Sequence, residues 1–209
     1  MTHSTGLTPL DLFIADRLKE FDQIPKERRP LLLRLRAYIQ KKLASNTPIA
    51  LNYICTHNSR RSHISQIWSA TAAHYYGVPQ ISHFSGGTEA TAFNPRAVAA
   101  MQRAGFKIEN PGGNNPHYLV HFGAEVEPLE CFSKTFDDPF NPKTHFAAIM
   151  TCSDADKNCP FVPGTEMRLP LTYEDPKVAD DTPQEQSKYD ERVAQIGREI
   201  LFAYAQIHT

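Results

Sequence analysis

Little in this chain points outward, to a membrane, a nucleic acid or the cell exterior. No apolar run approaches the roughly 20 residues that would cross a bilayer. The first residues, Met1-Thr-His-Ser-Thr-Gly6, lack the basic-then-apolar pattern of a signal peptide. Net charge is only −1, from 22 basic and 23 acidic side chains, so no global field recruits nucleic acid or an acidic membrane. Cysteine is scarce, at four residues. Two stand far apart and two close together, which is no secreted disulfide framework; thiols with a chemical task in the cytoplasm are the expectation. Cys-x2-Cys spacing and an ordered histidine set are both missing. His63, His74, His83, His117, His121 and His145 are scattered and read as surface or core residues, so neither a metal nor a cofactor is expected. Internal repeats and low-complexity segments are also lacking.

What is present organises a chain of 209 residues into one expected domain, 1–209. Residues 1–46 read as a helical extension. Thr8 caps a first helix over 8–22 with Pro9 in its first turn, and a second helix runs from about Pro25 to Ala44. From residue 47 the period changes to a βαβ rhythm. Strand 49–54, helix 61–76, strand 80–85, helix 95–104 and a strand near 106–108 predict a parallel sheet with helices on both faces. The rhythm breaks over about 110–143, where two alternating stretches, 117–122 and 130–134, suggest an inserted hairpin or edge extension. Strand 145–151, a short strand from Met167 to Leu171 and a helix from about Pro183 to Gln206 finish the chain. The fold class is therefore α/β, a three-layer doubly wound parallel sheet, with ligands expected at the carboxyl ends of the strands.

One segment carries chemistry. Cys55-Thr56-His57-Asn58-Ser59-Arg60-Arg61-Ser62 lies between the first core strand and a helix. Its backbone N–H groups and the positive helix end can converge on a tetrahedral oxyanion. Those same fields favour a thiolate at Cys55, which is the nucleophilic form. Arg61 can brace planar oxygens with two prongs, and Asn58 tolerates the left-handed conformation the convergence requires. The plainer alternative is a buried cysteine at a strand end with solvated arginines.

Cys152 and Cys159 are seven residues apart. In a continuous helix they would sit about 10 Å apart along the axis, beyond the roughly 7 Å limit for a disulfide. A bridge requires the segment to unwind, which Ser153, Asp154, Asp156, Asn158 and Pro160 favour. From spacing alone the pair is either redox-active or two unrelated thiols. Cys131, within the insert, reads as a bystander. Asp175, before Pro176, is a candidate general acid if its loop lies on the rim of the anion loop; otherwise Asp-Pro is an ordinary turn.

Taken together, Cys55-x5-Arg61-Ser62, the Cys152–Cys159 segment and Glu174-Asp175-Pro176 closely resemble the thioredoxin-coupled arsenate reductases of the low-molecular-weight protein tyrosine phosphatase superfamily. Ser85-Gly-Gly-Thr-Glu89 and Asn94-Pro-Arg-Ala97 are similar to that family's second strand and helix. The resemblance covers about residues 49–205, less the insert. It implies that Cys55 attacks arsenate held by the N–H groups of residues 56–62 and by Arg61, while Asp175 protonates the departing hydroxyl. It further implies that Cys152 resolves the adduct, that Cys159 takes over the disulfide, and that thioredoxin reduces it. The alternative it implies is a phosphatase hydrolysing phosphomonoesters through a Cys55 phosphoenzyme. Against that, Lys177 and Val178 stand where such phosphatases carry an aromatic pair. A non-enzymatic redox or anion-binding module is a third reading. The chain departs from the family at His57, usually glycine, at Arg60, often cysteine, and at Gln66, where some relatives carry a glutamate tied to potassium.

Overall fold

The computed structural model describes residues 6–158 and 161–208. Four strands form one parallel sheet in the order β2-β1-β6-β7, where β1 is Ile49–Cys55, β2 Ile81–Gly87, β6 Phe146–Met150 and β7 Thr165–Pro170. Side-chain alternation assigns each face of the sheet to a different core. Leu51 and Tyr53 of β1, with Ala147 and Ile149 of β6, join a large apolar core. Ile54, with Phe146, Ala148 and Met150, joins a smaller cluster on the other side, and Cys55, at the strand's end where alternation gives way to the loop, belongs to that cluster too.

The large core is covered by helices α1 (Pro9–Leu18), α2 (Arg29–Ala44), α3 (Arg61–Tyr75), α4 (Pro95–Arg103) and α6 (Glu185–Tyr204). The opposite cluster is closed by Ala155 of the short helix α5 (Ser153–Asn158) and by Phe136. The sheet is thus flanked by helices on both faces, unequally. The N-terminal helices belong to this packing: Leu10, Ile14, Leu32, Leu35 and Ile39 are buried in the large core. Thr8 caps α1 through a capping box with Asp11, and Asn94 caps α4 ahead of Pro95, both as the sequence indicates.

Three expectations need adjustment. The first helix, expected over 8–22, ends at Leu18, and a separate 3-10 turn follows at Phe21–Gln23. The strand near 106–108, β3 (Lys107–Glu109), does not join the parallel sheet. It pairs antiparallel with β4 (Tyr118–His121), which pairs antiparallel with β5 (Leu129–Cys131), giving a separate three-stranded sheet. Only three residues long and alternating exposed–buried–exposed, β3 suits a half-exposed antiparallel sheet better than a buried parallel one. The second helix begins at Arg29 rather than near Pro25, because Pro30 occupies the first turn and residues 26–28 form a turn.

Candidate active site

β1 ends at Cys55, α3 starts at Arg61, and the five residues between them turn the chain back over the carboxyl edge of the sheet. Asn58, with φ of 43°, sits in the left-handed region and is fully buried. Its backbone N–H and those of Ser59 and Arg60 donate to no carbonyl among the described residues, so these three donors are open to an acceptor from outside the loop. The loop needs room behind it, and Gly87 supplies it. A Cβ at Gly87 would lie 2.6 Å from the Thr56 carbonyl oxygen and 2.7 Å from the Asn58 nitrogen.

The direction of the hydrogen bonds around Cys55 follows from one amide. The backbone N–H of Lys134 donates to Asn58 Oδ1 at 2.9 Å, which fixes the oxygen there and turns Nδ2 toward Ser62 Oγ, also at 2.9 Å. Ser62 Oγ accepts that bond, so its own proton is free for Cys55 Sγ, 3.1 Å away. Cys55 is buried at 3% exposure, beneath the loop.

Arg61 leaves α3 toward the segment after β7. Its Nη1 donates to the Tyr173 carbonyl at 3.0 Å and its Nη2 to Asp175 Oδ2 at 2.6 Å. Asp175 also caps a 3-10 turn over Pro176–Ala179, accepting from the Lys177 N–H at 3.1 Å. The Asp-Pro segment therefore lies against Arg61, at the end of the loop that follows Cys55. Arg61 Nε is buried and without a hydrogen-bond partner among the described residues.

Cys152, fully buried, stands at the entrance to α5 in the same apolar cluster as Cys55. Its Sγ lies 3.4 Å from Thr56 Oγ1, on the anion loop, and accepts from the Ala155 N–H at 3.3 Å. Cys159, predicted to complete the thiol set, lies outside the described residues. Cys131 is remote from this chemistry. Burial pushes its thiol up to about 12, and its Sγ touches Gln66 Oε1 at 3.8 Å.

The other loop residues divide between rim and scaffold. His57 pairs its Nδ1 with Glu89 Oε1, both side chains about half exposed. Ser59 Oγ donates to the Ala92 carbonyl at 2.8 Å. The Arg60 side chain is engaged by Tyr189 and Asp180.

Sequence reasoning missed the part played by the insert. Ser133 Oγ donates to the His57 carbonyl at 3.1 Å, Lys134 holds Asn58, and Phe136 packs so close to β2 that a Cβ on Gly86 would lie 2.4 Å from Phe136 Cα. Residues 133–136 thus form the wall behind the anion loop. Only the Gly86-Gly87 pair hinted at such a close approach.

No family model matches the chain. In sequence it is similar to arsenate reductase 2 of Staphylococcus epidermidis, 27% identical over 124 residues that cover 59% of this chain and 76% of that one. The arsenate reductase of Bacillus licheniformis is 28% identical over 149 residues, 71% of this chain and 89% of the relative. Among solved structures, a low-molecular-weight phosphotyrosine phosphatase from Vibrio cholerae superposes with a TM-score of 0.49 at 14% identity, over 75% of this chain and 94% of that chain. A thioredoxin-dependent arsenate reductase from Corynebacterium glutamicum superposes with a TM-score of 0.41 at 21% identity, over 93% and 85%.

Proposed function

We propose that the protein is an arsenate reductase that uses Cys55 as nucleophile and a Cys152–Cys159 disulfide relay, working in the cytoplasm with a dithiol donor of the thioredoxin class. Arsenate sits on the N–H groups of residues 56–62, with Arg61 turned from Asp175 onto its oxygens. The Cys55 thiolate attacks arsenic(V), and one hydroxyl leaves as water with a proton from Asp175. Cys152 then attacks the Cys55 sulfur. The sulfur–arsenic bond breaks with its electron pair passing to arsenic, which releases arsenite and leaves a Cys55–Cys152 disulfide. Cys159 attacks Cys152 and frees Cys55, and the donor reduces the last disulfide. In sum, arsenate and two thiols give arsenite, water and one disulfide.

The observation that carries this reading is the seat of Cys152, its Sγ 3.4 Å from Thr56 Oγ1 in the cluster that also buries Cys55. Phosphoester hydrolysis has no use for a second thiol there. The similarity to arsenate reductases in sequence supports the same choice. So do Lys177 and Val178, the latter 82% exposed, which follow Asp175-Pro176 in place of an aromatic pair.

Arsenate supplied with thioredoxin, thioredoxin reductase and NADPH tests the proposal. Steady NADPH loss with matching arsenite is expected, abolished in Cys152→Ser. Rapid aryl phosphate hydrolysis that ignores Cys152→Ser, with no arsenite formed, would move the assignment to a phosphatase.

A further inference from the structure

Two consecutive arginines hold the two ends of the Asp-Pro segment. Arg61 grips its start, at Tyr173 and Asp175. Arg60 grips its end. Arg60 Nε donates to Tyr189 Oη at 2.8 Å, Tyr189 Oη donates to Asp180 Oδ1 at 2.7 Å, and Arg60 Nη2 lies 3.3 Å from Asp180 Oδ2. Arg96 Nη1 adds a second cation 3.7 Å from the same oxygen. Arg60 is 9% exposed and Tyr189 fully buried, so water competes little for these bonds. Burial also pushes Tyr189 up to about 12, so its hydroxyl stays a donor even in alkaline solution. Between the grips the segment is stiff: the Asp180 N–H donates to the Lys177 carbonyl at 3.0 Å and Asp175 caps the turn.

These ties matter because Arg61 has two duties. On the proposed reading it must exchange Asp175 for the oxyanion, and at that moment the segment loses its grip at the start. We propose that Arg60, with Tyr189 and Asp180, is a latch that keeps the Asp-Pro segment docked while Arg61 leaves it for the anion. Arg60 is then a positioning residue that acts through Asp175, its guanidinium committed to the latch and not to the ligand. The inference rests on the anion-loop reading but not on arsenate being the substrate.

Amide hydrogen exchange of residues 173–181, with and without saturating inorganic phosphate, reads the latch directly. In wild type, phosphate should leave exchange unchanged or slower. In Arg60→Gln, phosphate should speed it several-fold, because Arg61 departs and only Tyr189 and Arg96 still hold Asp180. Tyr189→Phe, a milder change, should give the same sign with smaller size. Turnover should follow: kcat falls with KM little changed, and Arg60→Gln costs nothing further in an Asp175→Asn background.

Three results would overturn the latch. One is exchange that rises equally with and without phosphate, a merely structural tie. Another is exchange that does not change at all. The third is loss, in Arg60→Gln, of the protection phosphate gives Cys55 against alkylation, which would make Arg60 an anion ligand. Failure of phosphate to protect Cys55 in wild type sinks the anion loop itself, and the latch with it.

Discussion

At Asn58 a single side chain serves backbone shape and hydrogen-bond direction at once. Its left-handed conformation and its place in the loop were legible, since few residues other than glycine tolerate φ of 43°. Its anchor on Lys134 was not, because the partner lies 76 residues away in a segment read as an insert. Arg60 shows the same limit. Sequence placed it on the loop, but only packing shows that its charge is spent on Asp180 and Tyr189. His63, which the sequence left as either surface or core, is buried, stacked on Phe93 with ring centroids 4.3 Å apart and 3.2 Å from Ser85 Oγ through Nδ1. Burial, and then the nearby Lys134, hold it down at about 3. The folded protein therefore refuses a proton that the unfolded chain accepts below about pH 6.5. Stability should be intact above that pH and fall as pH drops toward 3. Denaturant unfolding at pH 7 and pH 5 should lose about 2 kcal/mol through this one group, a loss absent from His63→Gln. An identical pH dependence in both proteins would contradict the assignment.

Elements announced themselves in proportion to their contrast. Strand β1, the loop and α3 were readable because apolar alternation, a polar loop and helical spacing follow one another between Ile49 and Tyr75. Strand β3 was misplaced because three residues carry too little pattern to distinguish parallel from antiparallel partners. The contact between α3 and α6 was invisible in sequence, although it fixes how α3 presents Arg61. Gly197 in α6 faces fully buried Trp68 so closely that a Cβ would lie 2.7 Å from Cε2. Trp68 cannot retreat easily, being packed between Phe13 and Phe106 with centroids 5.8 and 5.1 Å away. Gly197→Ala should lower the melting temperature: overpacking costs about 1–3 kcal/mol and the gain in helix propensity returns at most about 1 kcal/mol. A higher melting temperature would show that the helices separate more freely than this packing allows.

Across the whole molecule, the N-terminal extension is tied to the loop that carries Asp175, the proposed general acid. Arg28 makes a two-pronged bond to Glu199 of α6, at 2.7 and 2.6 Å, and donates to the Thr172 carbonyl at 3.1 Å, three residues ahead of Asp175. Glu199 is fully buried, so Arg28→Ala strands a charge and should cost about 3–5 kcal/mol in denaturant unfolding. Arg28→Met with Glu199→Gln should cost much less than the two single changes added; strict additivity would deny the pairing. The proposed redox relay belongs to the same scale, since a disulfide formed at Cys55 would have to pass outward through Cys152 at the entrance to α5. The direct test is a single turnover of Cys159→Ser with arsenate, analysed by mass spectrometry under non-reducing conditions. The account predicts one arsenite per protein and a trapped Cys55–Cys152 disulfide. Arsenite without that disulfide, or repeated turnover in the variant, would contradict it.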